Sequence, residues 1–123
     1  MKSRWIDHKG TRIFYVNFSN FVQNRGPLQA ELEAMSLVVK EEPENSVLGL
    51  VDLRNTFLST ATILLIQNYA WQLGRHIRQA AVIVDEVNYP KKIMVNSITR
   101  VGGKEVILFD KLEEAKDWLV DNS

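Results

Sequence analysis

The chain has 123 residues, 46% of them hydrophobic, enough for one domain spanning residues 1–123 with a real core and no stretch polar enough to be a separate linker. Fifteen Lys plus Arg offset fifteen Asp plus Glu, so no long-range field steers the protein onto nucleic acid or an anionic membrane. The lack of cysteine excludes a disulfide framework and any thiolate metal site. At the start, Met1-Lys2-Ser3-Arg4 is followed by only Trp5 and Ile6 before Asp7 and His8. No signal-peptide core forms there, no apolar run approaches the ~20 residues of a membrane span, and the expected location is the cytoplasm.

In chain order, Arg4 to Asp7, the turn His8-Lys9-Gly10, and Thr11 to Ser19 read as a hairpin, since Ile13, Phe14, Tyr15, Val16 and Phe18 favour extended backbone. Gly26-Pro27 opens a helix with Pro at its first position. Its apolar face is Leu28, Leu32, Met35 and Val39, and Pro43 stops it. Val47 to Val51 is a continuous apolar run ending in Asp52, the pattern of a buried central strand. Ser59 caps a helix that runs to about Leu73, with Gly74 as a left-handed stop. Ala81 to Val84 followed by Asp85-Glu86 repeats the apolar-run-then-acid pattern, and Pro90 begins a helix through Met94, Ile98 and Val101 to Gly102-Gly103. Glu105 to Phe109 closes the set of strands, and Asp110 to Val120 is a helix with Asp110 and Glu113 spaced as a capping box. The fold class expected from this alternation is α/β: a mixed, mostly parallel sheet with right-handed crossovers and an antiparallel N-terminal hairpin.

Parallel strands open their carboxyl ends on one edge, so any small-molecule site belongs by default on a rim formed by Asp52, Asp85 and Asp110. Asp52 and Arg54 follow one strand there, and Asp85, Glu86, Asn88 and Tyr89 follow the next, with Lys91 and Lys92 opening the helix after it. Oxygen ligands of this kind suit Mg²⁺, but acids at strand ends also cap loops and helices. Capping is the expected role, with no metal and no cofactor. His8 and His76 have no adjacent Ser, Asp or second His and are expected at the surface without a catalytic role. No GxGxxG and no GxxxxGK[ST] is present to cradle phosphates.

The helix from Ser59 to Leu73 places Ile63, Ile66, Ala70 and Leu73 on one face, while Leu64 and Trp71, seven residues apart, point elsewhere. If the first set faces the sheet, Leu64 and Trp71 form a partner or dimer surface together with Arg54 in the preceding loop. The alternative is a helix covered on two sides by its own domain.

The tail Leu108-Phe109-Asp110-Lys111-Leu112-Glu113-Glu114-Ala115-Lys116-Asp117-Trp118-Leu119, with Ala80 to Val84 and Leu50-Val51-Asp52-Leu53, resembles the SpoIIAA-like family of the STAS superfamily over essentially the whole chain. In the tail, Phe109 is expected to enter the core, with Leu112, Ala115 and Leu119 as the inward stripe of the helix. Anti-sigma-factor antagonists of that superfamily follow the Asp-Leu strand end with an Asp-Ser-Ser-Gly motif whose serine is phosphorylated. Here Leu58-Ser59-Thr60-Ala61 falls at that place, with Leu58 in place of the Asp and Ala61 in place of the Gly. The resemblance implies Ser59 or Thr60 as a phospho-acceptor, set against a simple N-cap role for Ser59. The family's likeness to lipid-carrying SEC14-type domains implies a small, partly apolar ligand as the rival of a protein partner. A chain of this size, however, spends most of its apolar side chains on its core.

Three functions follow. The first is a non-enzymatic regulatory protein-interaction module acting through Arg54 to Trp71, with a protein partner or as a homodimer. The second is a carrier or sensor of a partly apolar ligand at the rim. The third and least expected is a hydrolytic or transfer enzyme using Asp52, Asp85 or Glu86 as a base, for which no oriented partner is legible.

Overall fold

The structure is a computed structural model, and it describes residues 2–19, 25–56, 59–85, 100–101 and 104–123. Strands β1 (Arg4–His8) and β2 (Thr11–Asn17) form the N-terminal hairpin, in register from Arg4 opposite Tyr15 to His8 opposite Thr11. Lys9 (φ 52°) and Gly10 (φ 78°) are both left-handed, as the two-residue hairpin turn that matches strand twist requires. β3 (Val47–Asp52) lies parallel to β2, β4 (Ile77–Ile83) parallel to β3, and β6 (Lys104–Phe109) parallel to β4. A two-residue strand, β5 (Arg100–Val101), pairs antiparallel with β6, giving the order β1-β2-β3-β4-β6-β5. The chain is thus α/β with an antiparallel hairpin leading into a parallel sheet.

Helices α1 (Arg25–Lys40) and α2 (Thr60–Leu73) cover one face of the sheet, and α3 (Leu112–Asp121) covers the other. The period-2 alternation of β2 supplies both sides: Phe14 and Val16 pack with Leu28, Leu32, Ile63 and Ile66, while Ile13 and Tyr15 pack with Leu50, Ile83, Ala115 and Leu119. In the α1–α2 layer an apolar cavity of about 80 Å³ remains, lined by Phe14, Gly49, Ile66 and Ala80 among others. The buried stripe predicted for α1, Leu28, Leu32, Met35 and Val39, is the one observed.

Several local expectations are corrected. Helix α1 begins at Arg25, which puts Pro27 third rather than first; it is tolerated because the first four N–H groups of a helix have no intrahelical acceptor. Gly74 is right-handed (φ −56°), and the chain tightens into a 3₁₀ turn, Gly74–His76, that delivers it to β4. Asn45 N–H and Ser46 N–H bond to the carbonyls of Arg75 and His76 at 2.9 and 3.1 Å, so tertiary contacts hold this turn without a left-handed glycine. β4 starts at Ile77, because pairing with β3 extends it across the polar Arg78 and Gln79. Val101 belongs to β5 and not to a helix, paired with Lys104. The stretch from Pro90 through Met94 and Ile98, and Gly102-Gly103, lie outside the described residues. Lys111, not Asp110, is the N-cap position of α3, and its side chain makes no capping hydrogen bond. Phe109 is only partly buried, stacked at a tilt on Trp118 with ring centroids 5.9 Å apart, while Ala115 and Leu119 are the fully buried residues of α3.

Candidate functional site

The parallel register aligns Asn17, Asp52, Ile83 and Phe109 at the carboxyl ends of β2, β3, β4 and β6. Backbone bonds continue the ladder beyond them: Phe18 N–H to Asp52 O at 3.0 Å, Leu53 N–H to Ile83 O at 2.9 Å, and Val84 N–H to Phe109 O at 2.9 Å. Asp52 and Asp110 therefore lie on one rim, and Asp85 joins them by accepting the Asn55 N–H at 2.9 Å. Asn55 is left-handed (φ 55°), so the Asp85 carboxylate holds a turn that a non-glycine residue adopts at some cost.

Asp52 is fully buried and saturated. Its Oδ1 accepts the Arg54 backbone N–H at 3.1 Å and Nε–H at 3.0 Å, and its Oδ2 accepts Arg54 Nη2–H at 2.8 Å and the Tyr15 hydroxyl. Burial pushes the Asp52 carboxyl up, but the hydrogen bonds from Arg54 and Tyr15 outweigh it and hold the group below the usual carboxylate range. Burial, reinforced by the Asp52 carboxylate, pushes Tyr15 up to about 12. The bond to Asp52 raises Arg54 further, so the guanidinium is permanently charged. A carboxylate with both oxygens committed and a depressed pKa is a poor general base and offers no lone pair to a cation. Its chemistry is that of a clamp: it fixes the turn that leaves β3.

That turn continues through Thr56, whose buried hydroxyl donates to the Phe18 carbonyl. At the start of α2, Ser59 Oγ accepts Thr62 N–H at 3.1 Å and lies 3.0 Å from Thr62 Oγ1. Ser59 thus satisfies one of the orphan donors of α2, as an N-cap does. Thr60 is exposed as the first residue of the helix.

Helix α2 has 14 residues and no charged side chain. Its inner face buries Thr62, Ile63, Ile66 and Leu73. Its outer face exposes Leu64 at 59% and Trp71 at 86%. Arg54, by contrast, turns back onto Asp52 beside Tyr15, which belongs to the α3-side core. The fold thus brings Leu64 and Trp71 onto one stripe, while the Arg54 guanidinium is committed to Asp52. Comparison with family models, with curated proteins and with solved structures finds no match. What the site does must follow from its own residues.

Of the remaining expected site residues, Glu86, Asn88 and Tyr89 lie outside the described residues, as do Lys91 and Lys92. A cleft of about 210 Å³ opens on the rim beside Val84, Leu108, Phe109, Asp110 and Glu114, and the apolar cavity under α2 is smaller still, against ~300 Å³ or more for a typical ligand pocket. Among the described residues no three His, Cys, Asp or Glu side chains gather as a metal site, and no helix is long and apolar enough to cross a membrane. The surface expectation for the histidines is corrected. His76 is buried, with Nδ1 2.8 Å from the Glu42 carbonyl, and His8 is largely covered, with Nε2 2.6 Å from Asp117 Oδ1.

Two polar residues escaped the sequence reading. By its type Tyr15 reads as a strand former, yet a tyrosine inside an apolar run also needs a partner for its hydroxyl, a usable signal. Glu31 lies in the apolar face of α1, where its buried carboxylate accepts the backbone N–H groups of Lys2 at 3.1 Å and Ser3 at 2.7 Å and ties the N-terminus to the helix. A glutamate between Leu28 and Leu32 breaks the face's apolar pattern, which is the trace it leaves in the sequence.

Proposed function

We propose that the chain is a non-enzymatic protein-interaction module of the SpoIIAA-like type, with the outer face of α2 as its contact surface. The observation that carries this reading is a two-sided helix without charge, whose solvent side presents Trp71 and Leu64. Exposed Leu residues taken singly are ordinary. A largely exposed Trp beside an exposed Leu, with no Lys, Glu, Asp or Arg on the same helix, has the composition of an interface centre, where aromatics concentrate and charges are depleted. The clamp at Asp52 is compatible with this role, since it orders the turn at Arg54 where the chain leaves β3.

The experiment is capture of partners from the native host by the purified chain, set beside Trp71→Ala and Leu64→Ala. Both side chains are exposed, so both variants are expected to keep the far-ultraviolet circular dichroism of the parent and to lose a partner that the parent holds. A partner retained at equal strength by both variants moves the contact surface off α2.

A further inference from the structure

We infer that the outer face of α2 is a self-recognition seam: two copies of the chain pair through antiparallel α2 helices, with Trp71 of each copy seated between Ala61 and Leu64 of the other. The inference rests on the reading of α2 as a contact face and adds what covers it.

The exposed residues of α2 include Ala61, Leu64, Asn68 and Trp71. Their spacing is three, four and three, which is the narrow a/d seam of a helix that packs against another helix, distinct from the inner stripe already used against the sheet. In an antiparallel pair the a and d positions of one helix face the d and a positions of the other. With the twofold axis near Ile66, Ala61 then lies opposite Trp71 of the partner subunit, a small residue opposite a large one, and Leu64 lies opposite Asn68 of the partner subunit. A twofold interface requires a patch complementary to itself, and this exchange supplies it. A parallel pair would instead set Trp71 against Trp71 and leave Ala61 against Ala61 with a gap.

Electrostatics agree with a second copy as the occupant. The helix has no charge to repel its own image and the chain has a formal net charge of zero, while antiparallel packing opposes the two helix dipoles. The side-chain amide of Asn68 both donates and accepts, so the polar position of the seam can be satisfied near the axis. Each seam is ~20 Å long and about a helix diameter wide, so the pair buries less than the roughly 1,200 Å² of a standard stable interface and belongs to the weak, transient class.

Sedimentation equilibrium of the full chain from about 10 μM to about 1 mM tests this, in the range where weak pairing shows. The expected result is a monomer at the lower end and a concentration-dependent dimer at the upper. Leu64→Glu and Trp71→Lys each weaken self-association roughly tenfold or more, and an equimolar mixture of the two recovers it, because antiparallel pairing sets the new Glu beside the new Lys. Should either charged variant lose its circular dichroism, Leu64→Gln and Trp71→Gln replace the pair for the loss of association. A chain that stays monomeric throughout, or a dimer that neither substitution weakens, overturns the seam; loss in both variants without recovery in the mixture overturns the antiparallel register. If the chain stays monomeric while Trp71→Lys still abolishes capture of a different protein, self-pairing fails and the interaction module stands.

Discussion

At Asp52 a single carboxylate gathers the Tyr15 hydroxyl and three N–H donors of Arg54, and the energetic consequence depends on which partner is removed. Asp52→Ala leaves a buried Tyr15 hydroxyl and the Arg54 guanidinium without their acceptor. Because Arg54 is 38% exposed and water can reach it, the expected cost is about 2–4 kcal/mol rather than the full penalty of a buried charge. Tyr15→Phe removes one donor and is expected to cost about 1–2 kcal/mol. Urea unfolding of both single variants and the double variant checks this, and strict additivity would contradict the shared network. Glu31 behaves similarly: burial pushes its carboxyl up, but bonds from Ser3 and Lys2 prevail and hold it low. For carboxyls depressed in the folded state, the stabilisation is fully present above their unfolded values, ~3.9 for Asp and ~4.3 for Glu, and is lost as pH falls through the lower folded values. Stability is therefore expected to drop below about pH 4. Glu31→Gln and Asp52→Asn should each flatten that acid limb in denaturation measured at several pH values, and an unchanged limb would place the acid sensitivity elsewhere.

The elements show how local chemistry and packing share the work. Ser59 bonds Thr62 N–H at the start of α2, and Ser59→Ala is expected to cost about 1 kcal/mol. Ser59→Asp keeps a capping oxygen and places negative charge at the helix N-terminus, so it should leave stability nearly unchanged. If it alters association instead, position 59 has a regulatory role beyond the cap. In β3, Gly49 faces the cavity under α1 and α2, and a Cβ there would meet only the Gln79 carbonyl oxygen, at 3.9 Å. Gly49→Ala is thus expected to stabilise by roughly 0.5–1 kcal/mol, since it removes the entropic cost of glycine in a strand and fills empty space. A raised denaturation midpoint with an unchanged slope would confirm it, whereas a lowered midpoint would mean that the cavity walls cannot admit a methyl group.

At the scale of the whole molecule, periodicity made most of the architecture legible. Leu28, Leu32, Met35 and Val39 marked the inner face of α1, Ile63, Ile66 and Leu73 that of α2, and the apolar runs from Val47 and Ala81 marked central strands. Those patterns are visible because burial selects side chains at the repeat of the element that carries them. They fail where tertiary contacts override the local code. Gly74 has no need of a left-handed stop once Asn45 and Ser46 satisfy the carbonyls that follow it, and Arg78 and Gln79 are polar yet extended because β3 pairs beside them. The site was legible in the same uneven way. The 3.6-residue period sets Leu64 and Trp71 apart from the inner face but leaves open whether the domain covers them, and the fold shows them exposed; Arg54 lies near them in sequence, and only the fold shows it turned back onto Asp52. Nor does any spacing along the chain join Tyr15 to Asp52, Glu31 to Ser3, or His8 to Asp117, which are separated by 37, 28 and 109 residues. The sequence by itself determined the alternation of strands and helices, the inner faces and the lack of charge along α2, because these depend on neighbours within a few residues. The polar clamps, the buried histidine and the strand order were decided by the tertiary structure, because a buried polar group takes its partner from whichever element folding brings within hydrogen-bond reach.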